Sequence, residues 1–254
     1  MTKIWGAALA AVCLALSFDA AAQIAVSSND NKAVLVDGVT TVVSNPPPDT
    51  ATIIDLGVSP PKVIGQVNVP GSWSAPPQSV AVTPDEALAI VTNSTKLDPA
   101  DPKKTVPDDT ITVVDLKATP PVVLQTLHGG RGPTGVSINR AGTLALVANR
   151  AECTVSVLTI EGKTVRLAGK VDLGDTTGTC GAALPVFTPD GKRAFVARNN
   201  DHKVSVLTVN GTTVEYTKRD ISANLRPYGL EIPPSGQVAI VANIGNGPTG
   251  GADT

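Results

Sequence analysis

The sequence predicts an all-β protein, a β-propeller of four-stranded antiparallel blades, on three observations. One string of residues returns several times along the chain, each return is followed by period-two segments rich in Val, Thr and Ile, and turn-forming residues separate the segments. Composition points the same way. Of 254 residues, 21 are Pro and 23 are Gly while only 3% are aromatic, which favours short strands and frequent turns over a helical bundle. A chain with 42% hydrophobic residues is too apolar for disorder. Its net charge of −2 offers no general attraction to polyanions, so neither nucleic acid nor an anionic membrane is expected as a partner.

The first 22 residues read as a secretory signal peptide rather than as fold. Met1-Thr2-Lys3 is a short positive start, Ile4 to Phe18 is almost wholly apolar, and Ala20-Ala21-Ala22 before Gln23 satisfies the small-residue cleavage rule. The apolar run is shorter than the ~20 residues that span a bilayer, so no membrane span is expected after cleavage behind Ala22. Residues 23–254 are then a single domain, exported to the periplasm or the extracellular space. Cys13 leaves with the peptide.

The repeat follows. Val80-Ala-Val-Thr-Pro-Asp-Glu-Ala-Leu-Ala-Ile-Val-Thr-Asn93 returns as Val136 to Asn149, as Pro185 to Arg198 and as Leu230 to Asn243, with a weaker first copy from Ile24 to Val36. The alanine before each final apolar segment (Ala33, Ala89, Ala145, Ala194, Ala239) recurs at spacings of about 45 to 56 residues. Each copy supplies strands one and two, joined by turns such as Pro84-Asp85 and Pro189-Asp190-Gly191. Strand three alternates β-branched and polar residues over Thr50 to Leu56, Thr110 to Leu116, Thr154 to Ile160 and Lys203 to Val209. Strand four is looser, over Lys62 to Val69, Val122 to Leu127, Val165 to Leu173 and Val214 to Asp220, and Glu161-Gly162 and Asn210-Gly211 are hairpin turns before it. Ser94 to Asp109 reads as a long polar loop. A β-sandwich would not need the same turn and apolar string in every unit.

Ile90-Val-Thr-Asn93, Leu146-Val-Ala-Asn149 and Ile240-Val-Ala-Asn243, each after a Pro-Asp-Gly-like turn, resemble the YVTN-repeat β-propellers over essentially the whole mature chain. The usual tyrosine is absent, Arg198 replaces the asparagine in the fourth copy, and Val34-Leu-Val-Asp37 stands in the first. The resemblance implies a propeller strongly and a chemistry weakly, because similar blades occur in secreted surface proteins, in lactonases and in domains that hold redox partners. After Asn243 a third strand is missing. About four and a half blades are therefore expected, from a truncated chain whose parent resembles a seven-bladed propeller.

Cys153 and Cys180 remain in a compartment that permits disulfides, either bridged or as two buried thiols; a bridge would contribute roughly 3–4 kcal/mol. Their spacing fits neither a CxxC metal motif nor haem attachment, and neither a metal site nor a cofactor is expected. If the strand order follows the family, the four-to-one and two-to-three loops share one face. On it fall Gly71 to Ser74, His128 to Pro133, Asp175 to Ala183, Ala223 to Tyr228, Arg150 to Glu152 and Arg198 to His202. Arg131, Arg150, Arg198 and Arg226 on one rim could clamp an anion, with His202 and Tyr228 beside them. Pairing of those arginines with Glu152, Asp175 and Asp201 is the competing reading. The expected function is a binding or protein-interaction scaffold working through this face, its partner an unknown protein or a small anionic ligand; the alternative is a lactonase-type hydrolase acting on an anionic sugar lactone.

Overall fold

In a computed structural model the described residues are 23–73, 78–174 and 179–245, and all their regular structure is β. The predicted signal peptide, Ser74, Asp175 and the last residues of the chain lie outside them.

The first sheet uses β1 (Ile24–Asn29), from which the chain leaves into a separate hairpin of β2 (Ala33–Val36) and β3 (Val39–Val42) before returning as β4 (Thr50–Asp55) and β5 (Lys62–Asn68). The second contains β6 (Val80–Val82) and β7 (Leu88–Thr92), is interrupted by a hairpin of β8 (Thr95–Asp98) and β9 (Asp101–Pro107), and finishes with β10 (Thr110–Asp115) and β11 (Val122–His128). The third is β12 (Pro133–Ile138), β13 (Leu144–Asn149), β14 (Thr154–Glu161) and β15 (Thr164–Asp172). The fourth is β16 (Ala182–Phe187), β17 (Arg193–Arg198), β18 (Lys203–Asn210) and β19 (Thr213–Ser222), and β20 (Pro227–Glu231) pairs with β21 (Ile240–Asn243). Three of these sheets have four antiparallel strands in sequence order, as the repeat requires.

The sheets pack face against face, and the core lies in the seams. Ile53, Ala89, Val91 and Val114 fill the first seam, Ile90, Ile111, Val113, Val147 and Leu158 the second, and Leu146, Val155, Phe187, Val196 and Leu207 the third. A strand between two such seams is covered on both sides, which is why β13 is buried along its whole length and reads Leu-Ala-Leu-Val-Ala rather than alternating. Each fully buried Leu, Ile or Val contributes about 1.5–3 kcal/mol. The first strands β6, β12, β16 and β20 line a cavity of about 360 Å³, walled by Val80, Val82, Val136, Val186 and Phe187.

The repeated turn has a hydrogen-bond logic. Thr83 Oγ1 donates to Asp85 at 2.6 Å and accepts the Leu88 N–H at 3.0 Å; Thr188 does the same with Asp190 and Arg193. The repeat asparagine ties strand two to strand three: Asn149 Nδ2 donates to Thr154 and Ser156, both at 2.9 Å.

This bond corrects the first copy of the repeat. Asn29 Nδ2 donates to Thr52 Oγ1 at 3.0 Å and to Thr50 Oγ1 at 3.3 Å, and β1 pairs directly with β4, so Ile24–Asn29 is the second strand of its sheet. The repeat asparagine is Asn29, and Val34-Leu-Val-Asp37 belongs to the added hairpin. Asp37-Gly38 closes that hairpin with both φ angles positive, 49° and 78°, as a two-residue turn between Val-Leu-Val and Val-Thr-Thr-Val demands. The segment from Ser94 to Asp109 is likewise a hairpin rather than a loop.

Candidate functional site

The four-to-one and two-to-three loops meet at one end of the sheets, where backbone bonds stitch neighbouring loops together. Arg150 N–H donates to Gly132 O at 2.8 Å, Asn199 N–H to Gly181 O at 2.9 Å, and Ile244 N–H to Arg226 O at 3.1 Å. Side chains extend the stitching from sheet to sheet. Thr134 Oγ1 donates to Ala183 O at 3.0 Å, Arg150 Nη2 to Asn199 Oδ1 at 3.0 Å, and Asn199 Nδ2 to Pro227 O at 3.3 Å. Asn199 lies one position past the end of its repeat, as Arg150 does, and this shared offset is the signal by which it could have been nominated from sequence.

Arg150, Arg226 and Tyr228 come together here, each half-buried. Burial pushes the Arg150 guanidinium below its ordinary range; the Tyr228 hydroxyl opposes this and the charge of Arg226 adds to it. Burial raises the Tyr228 phenol, while the charges of Arg150 and Arg226 pull it back. No carboxylate acts on Arg150, and neither arginine belongs to an ion pair among the described residues. A guanidinium stays protonated even when partly desolvated, so the arrangement is a positive corner with a phenol hydroxyl beside it, in which neither arginine has an ion-pair partner among the described residues. An anion bound there would recover electrostatic energy that no carboxylate among the described residues supplies to Arg150.

The other nominated residues are differently placed. Arg198 is 5% exposed and is engaged as the competing reading has it: it pairs with Asp201, donates to Leu173 O at 3.1 Å, and lies 3.7 Å from Asp220. It stands in the asparagine position of the repeat and its longer side chain carries the tie beyond strand three to strand four. His202 uses Nδ1 to accept the Arg226 backbone N–H at 3.0 Å, with φ at 59°, and so shapes the loop that presents Arg226. The Arg131 side chain is exposed, and its backbone N–H donates to Glu152 Oε2 at 3.0 Å. Burial alone would raise the Glu152 carboxyl, but Thr154, the Arg131 N–H and Lys170 hold it below the ordinary value.

Cys153 and Cys180 form a disulfide, with Cα atoms 5.6 Å apart and both residues fully buried. It joins the loop that carries Arg150 to the loop whose Gly181 O receives the Arg150 N–H of the side chain at 3.5 Å. Asp108 accepts from Asn93 at 2.7 Å and pairs with Lys96 at 3.0 Å, and His128 lies 3.0 Å from Asp109. Among the described residues, no group of three or more His, Cys, Asp or Glu is arranged to hold a metal ion, and no helix is long and apolar enough to cross a membrane.

No protein-family model matches the chain, and no curated protein matches it in sequence. Solved structures do. The β-propeller domain of Swd1 from Myceliophteria thermophila aligns with a TM-score of 0.55 at 10% identity, over 81% of this chain and 62% of that one. The fold is a β-propeller. The periplasmic gluconolactonase of Pseudomonas aeruginosa aligns with a TM-score of 0.58 at 17% identity, over 83% of this chain. A putative 6-phosphogluconolactonase from Bacteroides uniformis aligns at 0.56 and 13%, over 80% of this chain and 74% of its own. The chain spans 61% of the length of the Pseudomonas structure. At these identities the propeller shares with them its fold alone.

Proposed function

We propose that the loop face of this propeller binds a small anionic ligand between Arg150, Arg226 and Tyr228, and that the reaction served is the hydrolysis of an anionic sugar lactone. The arginine pair carries the reading, because Arg150 is desolvated there and, among the described residues, neither it nor Arg226 has an ion-pair partner. Two of the structural neighbours are named as lactonases, which supports hydrolysis over binding alone. The repeat supports a place among YVTN-type propellers, and residues 1–22 support export by a signal peptide. In this arrangement the arginines hold the anionic group, the phenol hydroxyl of Tyr228 donates to it, and Asn199 keeps Arg150 aimed across the seam.

Binding without turnover is the second reading, and one observation favours it. The β2–β3 hairpin projects Val34, Leu35, Val36 and Val39 into solvent, with Leu35 74% exposed, as an interaction surface would. The two readings separate in a single series. Gluconolactone and 6-phosphogluconolactone are offered to the protein and to its Arg150→Met and Arg226→Met variants, with turnover and binding of the corresponding acids measured together. Turnover lost in both variants is the expected result; acid binding without turnover establishes the scaffold, and no binding at all removes the site.

A further inference from the structure

Four copies of the turn between the first and second repeat segments place one residue in the left-handed region: Glu86 at φ 55°, Gly142 at 70°, Gly191 at 68° and Gly236 at 66°. Glycine adopts this backbone freely, whereas a side chain strains it, so a glutamate here asks for a compensating contact. Its carboxylate makes one. Glu86 Oε1 accepts the backbone N–H of Gln23 at 2.6 Å and that of Ile24 at 3.1 Å, while the Gln23 carbonyl accepts the Leu56 N–H at 2.6 Å. The turn of the second sheet thereby clasps the residue that begins the first. Gln23 is also the residue that the Ala20-Ala21-Ala22 pattern makes the mature N-terminus.

We propose that Glu86 is the docking site of the processed N-terminus: once the chain is cut behind Ala22, the Gln23 nitrogen becomes an α-ammonium and pairs with the Glu86 carboxylate. The inference rests on the signal peptide proposed above. In the precursor the same nitrogen is a neutral amide. Cleavage therefore turns a hydrogen bond between a neutral donor and a carboxylate into one charged on both sides, which is shorter and stronger. It tightens the seam between the first two sheets at the outer end of β1, leaving Glu86 in its strained turn for a reason that the glycine copies lack. A paired ammonium is also a poor nucleophile. Glu86 holds back acylation of the α-amine, and it holds back attack of that nitrogen on the Gln23 side-chain carbonyl carbon, which would close a lactam and expel ammonia.

The test uses the whole chain with its own first 22 residues, expressed in a bacterial export host and purified from the exported fraction. N-terminal sequencing and intact mass are expected to show a chain that starts at Gln23 with a free amine. A limiting amount of an acylating reagent at neutral pH then modifies that amine several-fold more slowly in the wild type than in Glu86→Gln or Glu86→Gly, with lysine acylation as the internal reference. Glu86→Gly suits the left-handed backbone and keeps the fold if the glutamine variant does not. A mature N-terminus elsewhere overturns the processing reading, and this inference with it. A Gln23 terminus acylated equally fast in wild type and variants, or found already cyclised, overturns the docking while leaving processing intact.

Discussion

Arg150 and Arg198 occupy neighbouring places at the ends of equivalent strands, yet their surroundings give them opposite work. Arg198 is held by Asp201, Asp220 and the Leu173 carbonyl, so Arg198→Ala takes the guanidinium from a buried carbonyl and from part-buried Asp201, while Asp220 keeps Ser205 and Tyr216, and is expected to cost about 2–3 kcal/mol in urea unfolding. Among the described residues the Arg150 side chain donates to Asn199 and to the Gly181 carbonyl, and Arg150→Met is expected to cost about 1 kcal/mol while abolishing binding of an anionic ligand. Equal stability losses in the two variants would remove the distinction. Asp108 makes a third case. Burial pushes its carboxyl up, but hydrogen bonds from Lys96, Thr110 and Asn93 outweigh burial and hold it below the ordinary 3.8. A depressed carboxylate contributes stability that is present above its unfolded value and lost as pH falls through the folded one. Unfolding measured at stepwise lower pH should therefore show a loss below about pH 4 that is shallower in Asp108→Asn, a variant itself weaker by about 1–3 kcal/mol at neutral pH.

At the scale of elements, the disulfide joins the loop after β13 to the loop before β16, and it closes 27 residues that include all of β14 and β15. Reduction, or Cys153→Ala with Cys180→Ala, is expected to lower stability by roughly 3–4 kcal/mol, because the unfolded chain regains the freedom of that loop. Thermal melts with and without reductant check this, and an unchanged melt would show that the two sheets hold the loops without it. The approach of β12 to β16 is another property of paired elements. A Cβ on Gly135 would lie 2.4 Å from Ala183 O and 2.8 Å from Leu184 Cα, both backbone atoms with no room to yield. Gly135→Ala is expected to cost about 1–3 kcal/mol by forcing the two first strands apart.

For the whole molecule, the seams decide what stays wet. The sheet of β20 and β21 packs on the fourth sheet through Leu230 and Ile232, but Val238 and Ile240 are 57% and 64% exposed, and β21 has no second neighbour among the described residues. Exposed apolar side chains on such a strand favour association with another chain. Residues 23–254 are expected to associate as concentration rises, measured by light scattering, and Ile240→Lys to reduce it. A monodisperse monomer at all concentrations would mean that this edge is covered.

The sequence by itself determined the all-β class, the four-strand unit and the turn chemistry, because each depends on neighbours within one repeat: a Thr-Pro-Asp turn, an apolar strand, an asparagine reaching the next strand. It also located the cysteine pair and the loops on which the arginines stand. The assignment of Ile24–Asn29 as second strand was within reach, through its terminal asparagine and the Asp37-Gly38 hairpin signal beyond it, but the apolar string Ala33 to Val36 imitated the repeat more closely. Only the tertiary structure decided which arginines keep their charge available. Arg150 and Arg198 sit at nearly the same repeat position, and their difference arises from Asp201, three residues on in the loop after Arg198, and from Asp220 on strand four of the same sheet, which stand beside Arg198 and not beside Arg150. Local sequence sets the elements and places Asp201 near Arg198; the rest of that side chain's electrostatic environment comes from Asp220 and the Leu173 carbonyl, groups more than twenty residues away that reach it only because strand pairing and loop packing bring them there.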